Sequence, residues 1–275
     1  MSKSQRIALV FDFDDTLGPD STSSFLASIG IDPHPFWTKH AGYLKEGWDP
    51  IPAYLQMMIQ ESQKRPKSKR ITKKKLNNFG SRLTSQPGLK MFFPRMRKFV
   101  KERAPGTELL FFIISSGIGD VITQFPFANQ FSHIWSSNFS FNKGGEIEGI
   151  KNVVSFTDKT RFLFQVQKGI FGSEAEKDPF AVNRRVTAHD LFVPFPQMVM
   201  IGDGFTDVPC FSLLEKNGGA AIGVYEREAA DRWGRAWGLM NDHRVQNMVA
   251  ADFRPRTGLD DALILAVGRI LNSLK

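Results

Sequence analysis

A chain of 275 residues, 41% apolar and 23% charged, is long enough to bury a full core, as one large domain or two small ones. No apolar run approaches the length of a membrane span, Met1-Ser2-Lys3-Ser4-Gln5-Arg6 has no secretory pattern, and the single cysteine, Cys210, excludes an intrachain disulfide framework; a cytoplasmic protein is expected. The formal net charge is +8, yet residues 62–101 alone hold fourteen Lys or Arg and no acid, so one segment makes the chain basic. Such a segment fits an anionic partner or substrate, or a solvated helical face.

The first element is a strand. Ile7 to Phe11 is continuously apolar, the pattern of a strand buried on both faces of a parallel sheet. It runs into Asp12-Phe13-Asp14-Asp15-Thr16-Leu17-Gly18, placing two carboxylates where the strand ends. Ligands bind at that edge of open α/β sheets, and unpaired buried charge is costly, so these acids point to a metal ion and a reaction. The plainer alternative is a strand followed by an Asp-rich helix cap.

From residue 19 to 85 the pattern is helical. Helices are expected over Ser21–Ile29, Pro35–Glu46, Ile51–Gln63 and Ile71–Leu83, separated by Gly30, Pro33, Gly47, Pro50 and Pro66. Gln86-Pro87-Gly88 marks a return, and Leu89 to Arg103 reads as an amphipathic helix that either kinks at Pro94 or begins there. Leu109 to Ser115 is a second buried strand; Ser116-Gly117 is expected to turn the chain into a helix over Asp120–Phe125.

His133–Phe141 and Ile150–Phe156 alternate around Asn142-Lys143-Gly144-Gly145, which predicts a β-hairpin. Thr157-Asp158 is expected to cap a helix from Lys159 to Lys168, and a loop-rich stretch follows with one short helix near Val182–Thr187. Met198–Ile201 is a third buried strand, ending in Gly202-Asp203-Gly204-Phe205-Thr206-Asp207. A helix over Phe211–Lys216, a strand over Ala220–Val224 and helices over Glu226–Gly238 and Leu259–Leu274 complete the chain.

Three buried strands thus end in Asp12 with Asp14, in Ser115, and in Asp203 with Asp207, and a parallel sheet brings these ends to one edge. Carboxylates crowded there repel one another unless a cation neutralises them. All-oxygen ligation points to Mg²⁺ rather than Zn²⁺, and His34, His40, His133, His189 and His243 show no metal-ligand spacing.

The order Asp-x-Asp-x-Thr, hydrophobic strand with Ser, Lys, then Gly-Asp-Gly-x-x-Asp resembles the four signatures of haloacid dehalogenase superfamily phosphatases, over Arg6 to about Val224. The insert between the first two signatures looks like the cap of the phosphoserine-phosphatase-like group. The resemblance implies a Rossmann-like α/β core, residues 1–18 and 86–275, with an inserted helical cap, residues 19–85. It also implies a Mg²⁺-dependent phosphohydrolase. Asp12 would be the nucleophile and a metal ligand. Asp14 would be the acid and base, touching the metal through its backbone carbonyl. Asp203 would ligate the metal, and Asp207 would support it directly or through water. Ser115 and Lys159 would hold the phosphoryl oxygens, with Ser116 as the alternative serine and Lys151 or Lys168 as alternative lysines. The second acid, Asp14, argues for ester hydrolysis rather than dehalogenation, and the Asp-Lys-Thr-Gly of transport ATPases is absent.

A cap of that size is expected to close over the site, exclude water and select a small phosphorylated metabolite. Trp37, Tyr43, Trp48 and Tyr54 either line the pocket or form the cap's own core. A polynucleotide phosphatase or nucleic-acid-binding protein using the basic segment, residues 64–75, stands as the alternative, although no established nucleic-acid motif is present.

Overall fold

In a computed structural model, which describes residues 5–226 and 247–274, a seven-stranded sheet runs through the centre in the order β4-β3-β2-β1-β5-β6-β7. The central strand β1 (Arg6–Phe11) pairs in parallel with β2 (Glu108–Ile118) and β5 (Met198–Gly202). The strands β3 (His133–Phe141), β6 (Ala220–Tyr225) and β7 (Asn247–Ala250) extend the parallel arrangement, while β4 (Ile147–Asn152) returns antiparallel on β3.

Both faces of the sheet's centre are covered, which is why β1 and β5 show no alternation in sequence. Leu9, Phe11, Ile113 and Ile201 enter one apolar cluster; Val10, Phe112, Ile114 and Met200 enter the other. On the first face pack α5 (Leu89–Arg103) and the last helix, Gly258–Leu274. On the second pack α7 (Phe156–Lys168) and α9 (Val208–Lys216), through Phe162, Leu163, Val166, Cys210, Phe211 and Leu214. The short helices α6 (Gly119–Ile122) and α8 (Ser173–Lys177) lie in the connections.

Between β1 and α5 lie α1 (Ser21–Ser28), α2 (Pro33–Lys45), α3 (Pro50–Gln63) and α4 (Lys73–Gly80). Each starts where a side-chain oxygen takes an otherwise orphaned backbone N–H: Asp20 from Ser23, Asp32 from His34, Asp49 from Ile51, Thr72 from Lys75. Phe25, Leu26, Leu55, Met58 and Leu76 belong to the same apolar cluster as the first face of the sheet. The far end of this insert is stitched to the β3–β4 turn. Ile147 N–H donates to the Ile71 carbonyl at 3.1 Å, Lys73 N–H to the Gly145 carbonyl at 2.9 Å, and Arg70 pairs with Glu146 at 2.9 Å.

Several boundaries differ from expectation, each for a local reason. Helix α4 starts at Lys73 rather than Ile71, because Thr72 caps it and Ile71 is held on the hairpin instead. Helix α5 begins at Leu89 and runs through Pro94, so Pro94 is not its start. Helix α7 begins at Phe156 after Ser155, so Thr157-Asp158 does not cap it and Lys159 sits in its first turn. The Ser116-Gly117 step is not a turn, because β2 continues to Ile118. The hairpin's second strand is Ile147–Asn152 rather than Ile150–Phe156, and the short helix expected near Val182–Thr187 is a single 3₁₀ turn, Ala181–Asn183. Neither α8 nor β7 was expected, and the helix expected over Glu226–Gly238 lies outside the described residues from Arg227 onward. Among the described residues no helix is long and apolar enough to cross a membrane.

Helix α4 meets α6 where Gly80 lies against the backbone of Val121. A Cβ on Gly80 would overlap the Val121 carbonyl, and neither backbone can yield without shifting a helix. Gly80→Ala is expected to lower the unfolding free energy by about 1–3 kcal/mol, as overpacking does, measured by urea denaturation against the parent. An unchanged midpoint would show that the contact is loose.

Candidate active site

The C-terminal ends of β1, β2 and β5 meet under the insert, around a cavity of about 350 Å³. Asp12 follows β1 directly. Its N–H donates to the Ile201 carbonyl at 2.8 Å, continuing the ladder, and its Oδ1 accepts from Phe13 N–H at 2.8 Å. The chain then curls back, with the N–H groups of Thr16, Leu17 and Gly18 all directed at the Phe13 carbonyl. Asp15 occupies the left-handed region at φ 57°, which Asp tolerates better than most residues. That curl turns the Asp14 carboxylate back over the strand ends, where its Oδ1 accepts from Ser21 N–H at 2.8 Å.

Lys159 is fully buried beneath Asp12. Its Nζ lies 3.1 Å from Asp12 Oδ2, 2.7 Å from Asp207 Oδ1 and 3.1 Å from Thr206 Oγ1. Burial pulls the ammonium down, but Asp12 and Asp207 more than offset it, so Lys159 is held above its usual range and the proton stays on nitrogen. Burial pushes Asp207 up to about 7 against the pull of Lys159. Burial, then the charges of Asp12 and Asp207, raise Asp203 well above the ordinary carboxylate range.

Asp12, Asp203 and Asp207 each offer an oxygen within 4.8 Å of the others. When all three are ionised, the carboxylates outnumber the one buried ammonium by two charges, and a divalent cation would offset that surplus and favour the ionised forms. The oxygen-only donor set fits Mg²⁺. Asp14's carboxylate is outside this trio. Burial and the charges of Asp20 and Asp12 raise it well above its ordinary value, so it favours the protonated form.

Ser115 and Ser116 both line the cavity. Pairing of β2 with β3 steps from Ile114–Trp135 to Ile118–Ser137, so β2 bulges and its Ser115–Gly117 segment swells toward the carboxylates. Ser115 Oγ accepts from Gly117 N–H at 3.0 Å, whereas the buried Ser116 Oγ has no hydrogen-bond partner. These contacts do not choose between the two serines. Lys168 is elsewhere, its Nζ donating to the Arg184 carbonyl at 2.8 Å, and Lys151 does not line the cavity.

Several residues that position this site were not singled out from sequence. A Cβ on Gly117 would stand 2.7 Å from Asp14 Oδ2, so the carboxylate's place depends on that glycine. Thr206 reaches Lys159, and Tyr54 Oη donates to the Ser116 carbonyl at 2.7 Å, tying α3 to the bulge. Sixty-two positions separate that last pair, and no local pattern announces it. Of the four cap aromatics, Trp37 and Tyr54 line the cavity; Tyr43 and Trp48 pack on each other, ring centroids 5.3 Å apart. The lysines and arginines of residues 64–75 do not line it. Arg65 Nη1 donates to the Ile29 carbonyl at 2.9 Å, and Lys75 Nζ to those of Ser68 and Arg70 at 3.0 and 2.7 Å.

If the trio holds Mg²⁺, adding it should raise the melting temperature by mass action, about 2.7 kcal/mol of stability at a hundredfold excess over Kd. Differential scanning calorimetry of the parent and of Asp203→Asn checks this. The parent should respond and the variant should not; equal responses would place any bound ion elsewhere.

No family model matches the chain. An uncharacterized protein of Borreliella burgdorferi is 26% identical over 238 residues, 76% of this chain and 78% of that protein. Among solved structures, a HAD-family hydrolase of Salmonella enterica serovar Typhi superposes with TM-score 0.61 at 14% identity, covering 96% of this chain and 72% of that one. A phosphoserine phosphatase solved as a phospho-aspartyl intermediate analogue gives TM-score 0.55 at 14% identity, with 96% and 98% covered. An apo phosphoserine phosphatase gives 0.56 at 13%, with 94% and 98% covered. With its parallel sheet and the helices on both faces, the chain has the haloacid dehalogenase fold.

Proposed function

We propose that the protein is a Mg²⁺-dependent phosphohydrolase that acts on a small phosphorylated metabolite through an aspartyl-phosphate at Asp12. One observation carries the reading: a carboxylate at the end of the central strand, 6% exposed and held 3.1 Å from a buried ammonium, opens onto a cavity beside a second carboxyl whose hold on its proton burial strengthens. The shared fold with phosphatases supports it. Asp12, Asp203 and Asp207 would hold the metal, with the Asp14 backbone carbonyl as a further ligand. Bound there, Mg²⁺ supplies charge that offsets the phosphate's negative oxygens.

The residues divide the work as follows. Asp12 Oδ attacks phosphorus, and the bond from phosphorus to the ester oxygen breaks. Asp14 gives its proton to that oxygen, so the leaving group departs as an alcohol. Lys159 and the Ser115–Ser116 segment take the charge that builds on the phosphoryl oxygens. Asp14, now ionised, accepts a proton from water as the water oxygen attacks phosphorus. Inorganic phosphate leaves and Asp12 is regenerated. A carboxyl raised by burial and by Asp20 suits this exchange, since it both holds and returns a proton. The helices α1–α4, residues 19–85, would act as the cap that keeps bulk water out, and a cytoplasmic location stays part of this proposal.

With p-nitrophenyl phosphate, whose leaving group needs no proton, Asp14→Asn should retain phosphorylation but lose dephosphorylation. Rapid mixing should then show a burst of nitrophenol of about one equivalent, followed by turnover slowed on the order of 10²–10⁴-fold. Multiple turnover at the parent rate would remove Asp14 from the mechanism.

A further inference from the structure

Above the reacting groups, the cap side of the cavity has a distinct chemistry. Asp20, Trp37, His40, Ile51 and Tyr54 line it, and among the described residues no Lys or Arg does. Asp20 and Trp37 are joined through one hydroxyl. Trp37 Nε1 donates to Ser23 Oγ at 2.8 Å, and Ser23 Oγ donates to Asp20 Oδ2 at 2.8 Å. Asp20 Oδ1 also caps α1 by accepting from Ser23 N–H at 2.9 Å. The carboxylate is thus ordered by neutral donors, and no ion pair to it occurs among the described residues.

Two aromatic rings converge beside it. Trp37 and Tyr54 have centroids 6.0 Å apart and planes inclined by 57°. Tyr54 is fixed at the other end by its bond to the Ser116 carbonyl, and Trp37 also meets the His40 ring edge-on at 5.2 Å. His40 Nε2 lies 2.8 Å from the Pro50 carbonyl; that nitrogen therefore donates. Asp20 makes this box acidic, and no Lys or Arg among the described residues lines it to offset that charge.

A carboxylate or a second phosphate on the leaving group would meet the Asp20 carboxylate with no Lys or Arg among the described residues on the cap side. An ammonium would meet an ordered carboxylate and the faces of Trp and Tyr, the rings that attract cations most strongly. Building on the reading above, we propose that the leaving group is a short amino alcohol, its ammonium bound between Asp20, Trp37 and Tyr54. The substrates are then amino-alcohol phosphate monoesters. Hydrolysis adds water across the phosphorus–oxygen bond and releases the amino alcohol and inorganic phosphate.

The test compares charged substrates with neutral isosteres on the full chain with Mg²⁺: phosphocholine against 3,3-dimethylbutyl phosphate, and phosphoethanolamine against propyl phosphate. Phosphoserine is the carboxylated control, and p-nitrophenyl phosphate reports phosphatase activity itself. At least one charged member should exceed its isostere in kcat/KM by about tenfold or more, the range of a desolvated cation–π contact. The same member should exceed phosphoserine. Asp20→Asn, which keeps a good cap, and Trp37→Leu should each narrow that ratio. Ratios at or below one in both pairs, or a preference for phosphoserine, would overturn the proposal while p-nitrophenyl phosphate turnover left the phosphatase reading standing. If no phosphate ester turned over, calorimetric titration with choline and with ethanolamine would decide the box alone. Binding of either that Trp37→Leu weakens supports it, and absence of binding overturns it.

Discussion

The buried ion pair of Lys159 with Asp12 and Asp207 is the constraint on which the site rests. An ammonium with no exposure is tolerable only because two carboxylates and one hydroxyl surround it at 2.7–3.1 Å. Its three partners come from two other segments: Asp12 from the end of β1, Thr206 and Asp207 from the turn after β5. Helix α7 itself packs on the far face of the sheet. The pair therefore locks helix, central strand and neighbouring strand in one register. Removing the lysine would leave three acids facing one another. Keeping it still leaves more carboxylate than ammonium charge, which a divalent cation at the trio would offset.

The insert is tied to the body of the protein at both ends of its course. Near the cavity, Tyr54 grips the carbonyl of Ser116, and Ser21 N–H holds Asp14. Far from it, Ile71 and Lys73 pair with the hairpin turn, and Gly80 lies against α6. Of the basic residues of 64–75, Arg70 serves in that anchoring by pairing with Glu146, while Arg65 and Lys75 donate to backbone carbonyls within the insert itself. The net charge of the chain therefore says less about the cleft than its size suggests. The wall that the insert gives the cavity carries aromatic rings and a carboxylate instead.

Much of this was legible in the sequence, because it depends on contiguous residues. The strand ending in Asp12 and the one ending in Asp203 are uninterrupted apolar runs, and only burial on both faces produces that pattern. Acids at such ends stand out against the cost of burying them. The preference for Lys159 over Lys151 and Lys168 rests on its starting a capped helix; the helix starts at Phe156 after Ser155, without a side-chain cap bond, and what places Lys159 beside Asp12 and Asp207 is tertiary packing. What stayed hidden depends on tertiary contact. The bulge at Ser115–Gly117 is set by the mismatch of two strands, and the approach of Asp14 to Gly117 by the curl after Phe13. Strand β7 has four residues, none of them buried, and gives no periodic signal. The division of the cap aromatics into Trp37 and Tyr54 inside and Tyr43 and Trp48 outside follows from how α2 and α3 rotate against each other, which composition does not encode.

The account's central claim is covalent: phosphorus passes through Asp12. Quenching the enzyme during turnover of a phosphate ester with Mg²⁺, then reducing with borohydride, converts an aspartyl-phosphate to homoserine. Peptide mass spectrometry locates it. The account predicts homoserine at position 12 and at no other aspartate, lost when phosphate ester is omitted. Reduction at another acid, or substrate turnover with Asp12 never modified, would contradict it.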